Sequence, residues 1–205
     1  MITFLMNKNW NITFFNENVK NETLSLPDSI LANLLRIFDM VKEFGPNLGR
    51  PHSAPLSDGL FEFRAKGKEG IARSIFCTVI DNEVVILHTV IKKSNAIPKK
   101  DLDLAKKKGI MMSRPTFEDF KKEALLKPSL KEEYENLAPE YELKMKLIEM
   151  RKEANLTQEE IAKKMNTKRS NISRLESFTY NSSPNISTLM AYAQATGHQL
   201  KVEFV

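Results

Sequence analysis

Between Leu156 and Glu176 the sequence reads LTQEEIAKKMNTKRSNISRLE. Its second half gathers Lys168, Arg169, Ser170, Asn171, Ser173 and Arg174 around Ile172 and Leu175, two apolar residues spaced to face inward on a short helix. A guanidinium can bond a guanine edge through two N–H groups at once, and amide or hydroxyl side chains reach base edges or phosphates. Carried on the outside of a helix, such side chains suit the reading of a DNA major groove. The plainer alternative is the solvated face of a structural helical bundle.

A second set of reactive types lies on stretches that alternate like strands. Glu62 and Arg64 stand two apart in LFEFRA, Arg73 sits between Ile71 and Ile75, His88 falls inside VVILHTVIKK, and Lys92 and Lys93 end that run. Plainer readings exist for each. Glu62 and Arg64 could be a structural ion pair, Arg73 a buried and paired arginine, and His88 a satisfied core histidine. Terminal lysines also discourage strand association. His52, in a proline-rich loop, is expected at the surface, and Lys99, Lys100 and Lys106 to Lys108 on a solvated helix face.

Around the first set, Thr157 is a good N-cap with Glu160 three residues on, a capping box. Ile161, Ala162 and Met165 recur at helical spacing, and Asn166 can take the left-handed conformation that ends a helix. Upstream, Pro139 to Ala154 forms an amphipathic helix with Leu143, Leu147, Ile148 and Met150 at core spacing; downstream, a helix after Pro184 stops at Gly197. The ending QLKVEFV alternates like a strand.

Around the second set, Trp10 to Glu17 reads as a strand. A helix opens at Pro27 and Asp28, carries the stripe Leu31, Leu34, Leu35, Phe38 and Val41, and closes at Gly45. After the loop PNLGRPHSAPLSDG come three strands, the last two joined by the hairpin signal Asp81-Asn82, and then a basic helix, IPKKDLDLAKKK. The order β-α-β-β-β-α predicts a small antiparallel sheet with helices on one side. The expected fold class is α+β, followed by an all-α helix-turn-helix domain with a short C-terminal strand.

Cys77 is the only cysteine, so no disulfide or cysteine-based zinc site is expected within one chain. The net charge of +5 and pI near 9.2 suit a polyanionic partner without requiring one. Residues 1–110 carry 16 Lys and Arg against 12 Asp and Glu, while residues 111–205 are nearly balanced. No apolar run approaches the roughly 18–20 residues needed to span a bilayer, and the start shows no secretory pattern. A cytoplasmic location and no membrane partner are expected.

The helix-turn-helix pattern resembles the DNA-binding domain of the Xre/Cro repressor family over about residues 139–196. The resemblance implies that Arg169, Ser170 and Arg174 face bases while Gln158, Lys168 and Asn171 hold phosphates; Asn166 stands where the family usually has Gly. The first half resembles the HigB branch of the RelE toxin superfamily over nearly all of 10–108, through FGPNLGRPHSAPL, GLFEFR, GIAR and ILHTVIKK. That resemblance implies a ribosome-dependent mRNA endoribonuclease working without metal or cofactor. Arg64, Arg73 and Lys93 would sit on a concave sheet face with Lys92 beside them, and Glu62 or His88 would move the proton. Some relatives use a tyrosine near the toxin's end, where this chain has Ile97 and Pro98.

Between the two halves, the stretch from Ser113 is similar to the N-terminal extension of HigA-type antitoxins, through Phe117, Phe120, Pro128, Glu132, Tyr134 and Leu137. The implied organisation is a toxin domain at 1–109, a seam and extension at 110–138, and a DNA-binding domain at 139–205, with GIMMSRP as the join. Toxin and antitoxin would meet within or between chains. The second half would bind operator DNA as a homodimer and autorepressor. Two alternatives are a repressor whose first domain is an inactive toxin, and a non-catalytic RNA-binding protein carrying a helix-turn-helix.

Overall fold

The computed structural model describes residues 10–56, 59–79, 82–91, 114–177 and 183–203. The chain divides into two compact units, 1–137 and 138–205. The extension, residues 114–137, therefore belongs to the first unit.

That unit is built on a five-stranded sheet. The strands are β1 (Asn11–Phe14), β2 (Ser53–Pro55), β3 (Phe61–Gly67), β4 (Gly70–Val79) and β5 (Glu83–Ile91), in the spatial order β1-β5-β4-β3-β2. β2 to β5 pair antiparallel as expected, but β1 lies parallel to β5, from Asn11 opposite Glu83 to Phe14 opposite Ile86. The sheet is mixed rather than purely antiparallel. Parallel neighbours need a crossover between them, and the intervening helices α1 (Glu17–Leu24) and α2 (Asp28–Phe44) lie in that connection.

β2 forms within the loop that its prolines suggested. Pro55 sits on an edge strand, where its missing N–H costs nothing. The pairing draws His52 inward, to 1% exposure, with its carbonyl accepting from Arg64 N at 2.9 Å. The surface position expected for His52 is thus corrected.

α2 carries the expected stripe against the sheet: Leu31, Leu34, Leu35, Phe38 and Val41 are buried, as are Phe63, Ala65, Ala72, Phe76, Val84 and Ile86. Its N-terminal half is pinned to the β3–β4 hairpin. Ser29 Oγ accepts from Lys68 N at 2.8 Å, and a Cβ on Gly67 would stand 2.1 Å from that oxygen. Ile30, Ile37 and Met40 lie off the stripe and are also buried. Ile30 stands against Gly67 of β3, while the side of α2 that carries Arg36 and Asp39 is covered by the extension.

The extension runs as α3 (Phe117–Ala124) and α4 (Pro128–Asn136). Thr116 caps α3 by accepting from Asp119 N, and Pro128 opens α4, where a missing N–H is harmless. Phe117 and Phe120 are fully buried. The Phe120 ring lies 4.6 Å from Phe14, and the Phe117 ring stands edge-on to Phe38 at 5.4 Å. Pro115 O accepts from Phe14 N at 2.9 Å, so the chain entering α3 caps the outer edge of β1.

Polar contacts fix the register of this packing. The Arg36 guanidinium lies 3.6 Å from the Tyr134 ring centroid and donates to Tyr134 O at 2.8 Å. Asp39 accepts from Tyr134 Oη at 2.5 Å and from Lys121 Nζ at 2.7 Å. Burial, and then the Asp39 carboxylate, hold the Tyr134 hydroxyl well above the ordinary tyrosine range. Asp28 accepts from Lys127 and Ser129, and the Lys127 ammonium holds its carboxyl below the usual value.

The second unit is helical: α5 (Ala138–Glu153), α6 (Gln158–Lys164), α7 (Arg169–Leu175) and α8 (Ile186–Ala195). Leu147, Ile161, Ala162, Ile172, Leu175 and Tyr192 form its core, with Met150 and Met165 partly buried against them. α5 buries most of the face its sequence suggested, with two cations added to it. Lys144 and Arg151 go inside with Leu147 and Ile148, while Leu143 is only half-buried. Each buried cation has partners, as burial of charge demands: Lys144 donates to Glu140 and to Ser177 O, and Arg151 pairs with Glu176. The expected C-terminal strand is not formed over 199–203, and the last two residues lie outside the described set. A lone strand leaves its backbone groups without a ladder, and no strand is described elsewhere in this unit to pair with it.

Candidate functional site

Two groups of polar side chains follow from these elements. On the sheet, β3 and β4 pair so that Arg64 stands opposite Arg73, and Glu62 opposite Ile75. β5 places His88 on the other side of Ile75. Strand alternation sends Phe63, Ala65 and Ala72 towards α2, so Glu62, Arg64, Arg73 and His88 share the opposite face.

Glu62 is the hub, 1% exposed, with Arg64 at 32% and Arg73 at 19%. Arg64 donates from Nε to Glu62 Oε1 at 2.7 Å and also from Nη2. Arg73 Nε stands 3.4 Å from Glu62 Oε2, an ion pair without a hydrogen bond between these two buried atoms. The Glu62–Arg64 pair and the gathering of two guanidiniums thus occur together. His88 is no core histidine: its ring is partly exposed, and Nδ1 lies 2.9 Å from Glu22 Oε2 on α1. Neither α1 nor Glu22 was foreseen. Only Val19 and Thr23 of that helix are buried, too thin a stripe to register as periodicity. Lys92 and Lys93 lie outside the described residues, as does the expected basic helix at 97–108.

The second group sits on α6, the turn and α7. The capping box forms: Thr157 Oγ1 accepts from Glu160 N, and Glu160 Oε2 accepts from Thr157 N at 2.7 Å, which with the hydroxyl holds the Glu160 carboxyl low. Asn166 takes a φ of 48°, the left-handed turn expected of it. Lys168, Arg169, Ser170, Asn171 and Arg174 are all exposed. Asn166, Thr167, Lys168, Ser170, Asn171 and Arg174 line an open groove of about 670 Å³.

Gln158 departs from expectation. The first turn of α6 faces α5 and the end of α7, so the side chain is buried and Nε2 donates to Glu176 Oε2 at 2.9 Å. It belongs to a buried network. Glu176 also accepts from Arg151 Nε and Nη2 at 2.7 and 2.9 Å and from Tyr192 Oη at 2.6 Å. Burial and the Glu176 charge push the Tyr192 hydroxyl far up. Removing one member of a buried charged set leaves the others uncompensated. Glu176→Ala is therefore expected to cost the second unit about 3–5 kcal/mol, read as a lowered thermal midpoint of its helical signal.

Lys152 supplies a pH dependence. Burial, then the neighbouring Arg151 charge, push its ammonium down to about 8. Between that value and the unfolded lysine value of about 10.4, the unfolded chain binds the proton and the folded one does not. Stability then rises with pH across that window. The helical melting midpoint should climb from pH 8 to 9.5, and Lys152→Met should flatten the climb.

The chain matches two family models. Residues 21–108 match phage-derived protein Gp49-like (DUF891), and residues 147–199 match a helix-turn-helix model. No curated protein matches the chain. Among the described residues, no helix is long and apolar enough to cross a membrane.

Proposed function

We propose, for a chain that joins a Gp49-like domain of the RelE/HigB toxin type to an Xre-type helix-turn-helix domain, a two-part activity in the cytoplasm. The first unit is an endoribonuclease acting on mRNA in the ribosome and kept inactive by residues 114–137. The second binds operator DNA and represses its own transcription.

The observation that carries the nuclease reading is Arg64 standing opposite Arg73 with Glu62 between them. When a ribose 2′-hydroxyl attacks the adjacent phosphate, negative charge builds on the equatorial oxygens. Guanidiniums hold a fixed charge in a planar fork that matches those oxygens, and charge preorganised where it develops is a large catalytic contribution. Glu62 Oε1 already takes two N–H groups from Arg64, which suits it to aiming the cations. His88, with Nδ1 held by Glu22, is the better-placed base: if Nδ1 donates to that carboxylate, Nε2 is the accepting nitrogen. Lys92 and Lys93 would draw the RNA backbone.

α3 and α4 pack on the α2 side of the sheet, away from the face that Arg64 and Arg73 share. Neutralisation therefore works by denying access to the ribosome rather than by covering the two arginines. For the second unit, exposed Ile186, Met190, Leu200 and Val202 support a homodimer, which would set two recognition helices on half-sites about one helical turn apart.

A second reading, a repressor whose first unit is inert, is favoured by Glu62 forming ion pairs with both arginines. The test is residues 1–109, confirmed as folded by Trp10 fluorescence and added to a translating extract. Message cleavage at ribosomes, abolished by adding residues 112–205, supports the nuclease. Folded material that leaves the message whole supports the inert repressor.

A further inference from the structure

Three polar side chains in the groove of the second unit touch in series. Asn171 Nδ2 lies 2.8 Å from Thr167 Oγ1, and Arg174 Nη1 lies 3.1 Å from Asn171 Oδ1. The spacing of four and then three residues places them along one side of the chain as it enters and follows α7.

The direction of each bond is set by the groups themselves. A guanidinium can only donate, so the Asn171 atom facing it must be the amide oxygen. The NH₂ then faces Thr167, whose hydroxyl oxygen must accept. Arg174 donates from Nη1 to Asn171, and a guanidinium carries five N–H groups in a fork whose geometry allows two bonds to one base edge. The Thr167 hydroxyl proton is left pointing to an acceptor other than Asn171.

We infer that Asn171 is a positioning residue: with Thr167 it holds Arg174 aimed at a base edge in the DNA major groove, and it does not itself hold a phosphate. An arginine side chain in solution samples many rotamers, and ordering one on binding typically costs about 0.5–1.5 kcal/mol. A guanidinium already fixed by an amide avoids most of that cost. The benefit falls only on sequences presenting the matching base, because a mismatched edge gains nothing from an aimed fork. This inference rests on the DNA-binding reading of the second unit.

The experiment uses the full chain. Selection from randomised duplexes yields a preferred sequence, and affinities for it and for a scrambled duplex are then measured at one salt concentration. Asn171→Ala and Thr167→Val should each narrow the ratio of the two affinities by roughly three- to tenfold, leaving the scrambled duplex unaffected. The loss should map to the base pair whose preference disappears in Arg174→Ala. Combining Asn171→Ala with Arg174→Ala should be no worse than Arg174→Ala alone, since the two act through one contact. Thr167→Ser, which keeps the hydroxyl, should restore the ratio.

Equal weakening on both duplexes would make Asn171 a phosphate contact and overturn the inference. So would losses that add to those of Arg174→Ala. Absence of any duplex binding by the unaltered chain would instead remove the DNA reading beneath it.

Discussion

Alanine at Phe120 should lower the stability of the first unit by about 3–5 kcal/mol, and the double change Phe117→Ala with Phe120→Ala should lower it further. Phe120 is wholly buried, with its ring 4.6 Å from Phe14 on the edge strand, and Phe117 meets Phe38 at the centre of α2. Truncation removes a ring from water-free surroundings and leaves a cavity whose walls, a sheet and a helix, cannot collapse freely. A domain holds only about 5–15 kcal/mol in total, so either loss is a large fraction of it, and the two are not expected to add fully because the rings are neighbours. Trp10 is the only tryptophan, and its indole packs against Gly45 at the end of α2. Its fluorescence therefore follows urea unfolding of the first unit alone. An unchanged urea midpoint in Phe120→Ala would mean that the extension is not part of this core.

Arg73→Ala should slow message cleavage by active first-unit protein about 10²- to 10³-fold, the usual effect of losing one preorganised charge or donor at the transition state. Arg73→Lys should recover only part of the loss, because an ammonium keeps the charge without the planar fork. Arg64→Ala should act similarly, since both side chains converge on Glu62. Rates are to be taken per folded molecule, with Trp10 emission as the measure of folding, so that a merely structural arginine is recognised. Full activity per folded molecule in Arg73→Ala would end the nuclease assignment and leave the inert-repressor reading.

Much of this fold is legible in the residues, and the exceptions share a cause. The helix at Asp28–Phe44 and the hairpin of β4 and β5 announce themselves through local period and punctuation. So do the capping box at Thr157 and the left-handed Asn166. What stays hidden depends on distant partners. β1 pairs parallel with a strand some seventy residues on, which no local pattern encodes. β2 is three residues inside a proline-rich loop and exists because β3 offers it an edge.

At the sites, residue types were readable but their duties were not. Gln158 has the chemistry of a phosphate ligand, yet Glu176 holds it inside. Lys144 and Arg151 look like solvent-facing charges until the acceptors that bury them are known.

The placement of α3 and α4 governs how this chain could be recombined with a relative. A crossover at Met112 would part Phe14 and Phe38 from the two rings that complete them, and a foreign segment would have to reproduce the Asp39 and Arg36 contacts to dock. A crossover between Leu137 and Ala138 falls at the boundary of the two compact units and leaves Phe117 and Phe120 with Phe38 and Phe14. The DNA preference of the second unit should thus be exchangeable at the later junction, while the earlier one, which lies inside the first unit, is the costlier place to cut.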